Sequence, residues 1–159
     1  MVKVKVCGIT NVEDAYLAVE AGADALGFIF VEDTPRFITP ERAAAIIREL
    51  PPFVTPVGVF WDHPEGYVKA VAEECGLAAL QFHGDEPPED LRDYRLPVIK
   101  TLKVASAVDL GRMEGYRVVA FLLDSPSRWS EGEARPPIQW ELARIASAHH
   151  TIVLSAGLT

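Results

Sequence analysis

Apolar and polar positions along the chain switch repeatedly between a period of two and a period near 3.6. In MVKVKVCGIT the valines at 2, 4 and 6 alternate with Lys3, Lys5 and Cys7, which predicts a strand over residues 2–7. Asn11 then stands where an N-cap belongs, ahead of a helix from Val12 to about Ala21 with Asp14 in a capping-box-like third position. Ala25 to Phe30 is a nearly continuous apolar run, read as a strand. Thr39 and Pro40 form an N-cap and first-turn proline for a helix to about Leu50. The alternation continues with a strand over 55–60, a helix over 64–75, a strand over 79–82 and a short helix from Pro87 to about Tyr94. Beyond these come a strand over 97–104, a helix from Ala105 to about Glu114, a strand over 118–123, a helix over 139–148 and a strand over 151–154.

Strands that alternate with helices pair in parallel through right-handed crossovers and are covered on both faces. Two α/β architectures accommodate that order. An open doubly wound sheet usually has fewer strands in this length, and a (βα)8 barrel needs about 200 residues or more. With seven predicted strands in 159 residues, the chain falls between them. No repeat, low-complexity tract or linker divides it, so residues 1–159 are expected to form a single domain.

Composition narrows the function classes. Hydrophobic residues make up 49% of the chain, enough for a core, and no stretch approaches the roughly 18 apolar residues of a membrane span. The start shows no signal-peptide pattern, and together these features predict a soluble cytoplasmic protein. A net charge of -8 argues against nucleic acid or an anionic membrane as partner. Cys7 and Cys75 are the only cysteines, so reduced thiols are expected rather than a disulfide framework.

The candidate chemistry lies at the carboxyl ends of the strands, where βα proteins build their sites. Cys7 closes the first strand just before a glycine, and Lys5 precedes it by about 7 Å on the same face. A nearby cation or helix N-terminus favours a thiolate, which makes Cys7 a candidate base or nucleophile. The alternative is an inert buried thiol. Gln81 and His83 share a face of LQFHGDE, and in FLLDS Asp124 follows three apolar residues without an adjoining helix to cap. Arg36, in the loop VEDTPRFITP, suits a carboxylate or phosphate, against the simpler reading of a solvated side chain. A metal site from Cys7, His83 and Asp124 is disfavoured, because the three lie on separate strands without ligand spacing.

These segments carry a resemblance. KVCGIT, GADALGFIF followed by TPR, PVGVF, LQFHGDE, VIKTLKV, FLLDS and VLSAGL occur in the order seen in the phosphoribosylanthranilate isomerase family, over essentially the whole chain. The resemblance implies a (βα)8 barrel and an enzyme of tryptophan biosynthesis. It implies an Amadori rearrangement of N-(5-phosphoribosyl)anthranilate to 1-(2-carboxyphenylamino)-1-deoxyribulose 5-phosphate, with no cofactor and no metal. Asp124 is then the general acid at the furanose oxygen and Cys7 the general base at C2 of the sugar. The apolar residues beside Asp124 are expected to favour its protonated form, and Lys5 is expected to support a Cys7 thiolate. Arg36 would hold the anthranilate carboxylate, Gln81 and His83 would line the pocket, and backbone N–H groups at Ala156 and Gly157 would hold the phosphate.

Departures from the family pattern fall on the phosphate side. SAGL stands where AGGL is usual, so Ala156 replaces a glycine, and the segment after Asp124 lacks a GGTG-like run. The expected barrel lacks its C-terminal βα units. If the chain ends at Thr159, its unpaired edges predict self-association as a homo-oligomer or aggregate. Two other readings compete with the isomerase: a catalytically impaired barrel fragment acting as an assembly unit, and another phosphosugar-handling barrel enzyme, which would lack the KVCGIT cysteine. A receiver-type domain fits less well, since the first strand lacks its acidic pair.

Overall fold

The computed structural model describes residues 2–125 and 140–155. It forms two compact units, Met1–Glu86 with Tyr94–Pro97 and Pro87–Asp93 with Val98–Thr159. Both alternate parallel strands with helices.

In the first unit β1 (Lys5–Cys7), β2 (Ala25–Ile29), β3 (Thr55–Phe60) and β4 (Ala79–Phe82) pair in parallel in that order. The connections are α1 (Val12–Glu20), α2 (Pro40–Arg48) and α3 (Glu65–Cys75). Local chemistry sets the helix ends. The Asn11 side chain accepts the Asp14 N–H at 2.8 Å, and its amide donates to the Asp14 carboxylate at 2.8 Å. The capping pair is thus completed through the Asn11 side chain rather than its backbone. Thr39 caps α2 ahead of Pro40, and Gly76 ends α3 in the left-handed conformation at φ 66°.

Period-two alternation sorts this unit into two faces. Phe30, Phe60 and Phe82 lie on the helix side, with ring centroids 5.3 and 6.0 Å apart. His63 meets Phe60 edge-on and stacks on Tyr67 of α3. The opposite face carries Cys7, Gly27, Val57, Val59 and Gln81 in register.

In the second unit β5 (Val98–Lys103), β6 (Ala120–Asp124) and β7 (Ile152–Leu154) are again parallel and adjacent in chain order. Among its described residues, α4 (Ala107–Leu110) and α5 (Trp140–Ser147) are the α-helices. Leu102, Val104, Phe121 and Leu123 pack with Leu142, Ala143 and Ala146 of α5. By alternation, Thr101, Lys103, Leu122 and Asp124 occupy the other face.

Several expected boundaries move. β1 begins at Lys5 rather than Val2, because the Val4 N–H and carbonyl bond to Asp24 and Ala25 at the strand entrance. Lys3 pairs with the Asp24 carboxylate at 2.5 Å and so does not continue the Lys5–Cys7 face. Val2, Val4 and Val6, the apolar side of that alternation, are exposed, at 84%, 48% and 37%. The helix expected over 87–94 is a 3-10 turn, Pro88–Leu91, since paired prolines and a four-residue span favour the tighter coil. The segment expected as one helix over 105–114 is α4 followed by a 3-10 turn, Gly111–Met113. Gly111 ends the α-helical part there. β6 starts at Ala120 and reaches Asp124, one residue past the apolar run.

Candidate active site

Cys7 ends β1 half-buried, directly over its register partner Gly27. A methyl group built at residue 27 would lie 2.6 Å from the Cys7 Sγ, so only glycine leaves the thiol its place. The next residue, Gly8, adopts φ 90°, which suits glycine, and turns the chain so that its N–H donates to the Gly27 carbonyl at 2.9 Å.

Arg36 reaches this turn from the loop after β2. Its guanidinium donates to the Cys7 carbonyl at 3.1 Å and lies across Gly8, where an added Cβ would fall 2.5 Å from the Arg36 Cδ. Cys7 and Arg36, singled out separately by the sequence, are therefore neighbours. Lys5 is half-buried two residues earlier on the Cys7 face.

Gln81 is 3% exposed on β4, and His83 follows just past the strand end. The His83 N–H donates to the Phe60 carbonyl at 2.8 Å and extends the β3–β4 ladder by one bond. Its imidazole stacks on the Trp61 indole, with centroids 5.2 Å apart and planes 18° off parallel. Trp61 is a residue that pattern reading missed, because a lone aromatic after a buried strand has no spacing signal.

The loops after β3 and β4 are laced together. The buried Glu86 carboxylate accepts the Asp62 N–H at 2.8 Å and the Gly84 N–H at 3.2 Å. Asp62, at φ 51°, accepts the Asp85 N–H at 2.7 Å. Glu86 lay inside the LQFHGDE run, but nothing in that run marked it as the anchor of two loops.

In the second unit Asp124 is 5% exposed at the carboxyl end of β6. Its Oδ1 accepts the Ser125 N–H at 2.9 Å, and its backbone carbonyl accepts from Val104 at 3.0 Å. Lys103 is its register partner on β5. That second cation was hidden in VIKTLKV, where it read as part of a strand. Ser155 closes β7 with its N–H on the Leu123 carbonyl at 3.0 Å. Ala156 and Gly157 lie outside the described residues, as does the segment 126–139.

Among the described residues, no group of three or more His, Cys, Asp or Glu side chains is placed to hold a metal ion. No described helix is long and apolar enough to cross a membrane.

Parallel βα units carrying ionisable and hydrogen-bonding groups at the carboxyl ends of their strands define an α/β protein with an enzyme-type site. The family model for N-(5'-phosphoribosyl)anthranilate (PRA) isomerase matches residues 4–159. The chain belongs to that family. It is 49% identical over 159 residues to the N-(5'-phosphoribosyl)anthranilate isomerase of Pelobacter propionicus, covering all of this chain and 76% of that one. Its structure is similar to that of phosphoribosyl anthranilate isomerase from Thermotoga maritima, with TM-score 0.91 and 42% identity over 99% of this chain and 78% of the other. A solved phosphoribosyl anthranilate isomerase in complex with reduced 1-(o-carboxyphenylamino)-1-deoxyribulose 5-phosphate matches with TM-score 0.88 and 42% identity, over 99% of this chain and 77% of that one.

Proposed function

We infer that the chain is an enzyme, a phosphoribosylanthranilate isomerase of tryptophan biosynthesis, acting on a small phosphosugar. The observation that carries this reading is the family match over residues 4–159, which includes the thiol of Cys7 and the carboxyl of Asp124 at strand ends. In the finer reading the strands belong to a single (βα)8 barrel domain, as in the family the chain resembles.

The reaction needs one proton delivered and one removed. Asp124, as the general acid, delivers a proton to the furanose ring oxygen. The C1–O bond breaks, and the nitrogen lone pair forms an iminium at C1. The Cys7 thiolate then takes the proton from C2, and the C–H electron pair collapses toward the iminium to give an enamine-enol. Ketonisation of that intermediate yields the aminoketose, so no oxidant or reductant is consumed. Acid and base are separate groups, which allows each to hold the protonation state its step requires.

Arg36 is proposed to bind the anthranilate carboxylate, for which a planar guanidinium is the matching donor. Gln81 and His83 are proposed to line the pocket, Lys5 to support Cys7 from the same strand face, and the backbone at Ala156 and Gly157 to take the phosphate. Binding energy from carboxylate and phosphate positions the sugar for proton transfer.

The test is turnover of freshly generated N-(5-phosphoribosyl)anthranilate, followed by its fluorescence change. The chain should convert it, and Cys7→Ala and Asp124→Asn should each lose at least about 100-fold in kcat, the usual scale for a general acid or base. Full activity in either variant overturns the assigned roles. No turnover by the unaltered chain overturns the isomerase reading.

A further inference from the structure

The stacked pair at the ends of β3 and β4 is larger than the lining role of His83 requires. Trp61 follows β3 on the face that carries Val57 and Val59, so it stands on the site side of the strand rather than the helix side. The residue remains 42% exposed although its ring lies flat against the half-buried His83 imidazole. A large apolar ring held open to solvent at the carboxyl edge of a parallel sheet is a surface suited to cover by a ligand.

The loops that carry the pair are also tied together. The Trp61 backbone N–H donates to the His63 Nδ1 at 3.1 Å, and His63 is itself clamped between Phe60 and Tyr67. On the other side Glu86 ties the Asp62 and Gly84 N–H groups into one loop structure. An added Cβ at Gly84 would fall 2.2 Å from the Asp62 Oδ1, so the two loops approach as closely as glycine allows. A preorganised aromatic surface loses little freedom on binding, which favours a rigid flat partner.

The substrate carries such a group. On the isomerase reading, on which this inference rests, the carboxyphenyl ring is planar, and its carboxylate is assigned to Arg36 of the same unit. We propose that Trp61 is a specificity-determining residue whose indole, braced by His83, forms an aromatic wall for the carboxyphenyl ring. Offset or edge contact between such rings strengthens binding beyond area burial. The wall distinguishes an N-aryl aminosugar from a phosphosugar without a ring.

The experiment is calorimetric titration of the full chain and of Trp61→Leu and Trp61→Phe. Two probes are used: reduced 1-(o-carboxyphenylamino)-1-deoxyribulose 5-phosphate, and ribulose 5-phosphate, which lacks the ring. Trp61→Leu should bind the aryl probe about 3- to 10-fold more weakly, the span expected of one aromatic contact. Its affinity for ribulose 5-phosphate should be unchanged, and Trp61→Phe should stay within about 3-fold of the parent on the aryl probe. Equal aryl-probe affinity in parent and Trp61→Leu overturns the wall while leaving the isomerase reading in place. A matching loss for both probes overturns it too, since the residue would then serve general structure. Failure of the unaltered chain to bind the aryl probe overturns both readings.

Discussion

The Cys7 sulfur rests on Gly27, and that contact sets where the thiol can go. A methyl group at residue 27 would sit 2.6 Å from Sγ and 3.2 Å from the Cys7 Cα. The neighbouring strand therefore determines the position of the proposed base through the side chain it lacks.

Gly27→Ala should displace the thiol while leaving β2 otherwise intact. A shift of about 1 Å in a reacting group can cost on the order of 100-fold in rate. We expect kcat to fall roughly 10- to 100-fold, with a smaller change in KM. Steady-state kinetics beside a thermal melt of the same variant checks this, and unchanged kcat would show that the sulfur is not the reacting atom.

Gly8→Ala acts on Arg36 instead. The φ of 90° at Gly8 disfavours a side chain by about 1–2 kcal/mol, and the new Cβ would meet the Arg36 Cδ at 2.5 Å. Because Arg36 is assigned to the substrate carboxylate, KM should rise more than kcat falls, the signature of lost uniform binding. Arg36→Lys should reproduce the KM effect without the backbone strain, since an ammonium lacks the planar fork.

Glu86→Ala should destabilise the fold. It removes a buried acceptor from the Asp62 and Gly84 N–H groups at 2.8 and 3.2 Å. Loss of such charge-assisted bonds costs about 2–3 kcal/mol. For a chain of this size the melting midpoint should fall by roughly 5–10 °C. Glu86→Gln, which keeps an acceptor, should lose less than half as much in a calorimetric scan.

The two thiols should separate by reactivity and by pH. Cys75 is buried, its Sγ contacts the Pro40 carbonyl at 3.3 Å, and burial, with a smaller push from the Glu74 carboxylate, raises its pKa from 9.0 to about 11. At pH 8 a maleimide should label the half-exposed Cys7 in the folded chain and reach Cys75 only on unfolding. Above pH 9 the unfolded chain releases the Cys75 proton while the folded chain keeps it. Stability should therefore decline between pH 9 and about 11, by about 2 kcal/mol, and Cys75→Ala should flatten that decline in denaturant titrations.

Much of the architecture is written in one dimension, because strand and helix periods depend only on which residues need burial. β3 and β4 occupy the predicted residues, and the caps at Asn11 and Thr39 rest on side chains three residues from their partners. Short-range chemistry of that kind is visible without a fold. The (3-10) turn at Pro88–Leu91 and the late start of β1 are less visible, since each depends on hydrogen bonds competing at an element's end. Cys7, Arg36, Gln81, His83 and Asp124 could be named as candidates from residue type and position at strand ends. Nothing in the linear order says that Gly27 supports the Cys7 sulfur, that Arg36 folds back onto Cys7, or that Trp61 stacks on His83. Those relations join residues 20 or more positions apart on different strands and loops. They come from parallel register and loop closure, which bring distant residues together through contacts that neither partner's local sequence encodes.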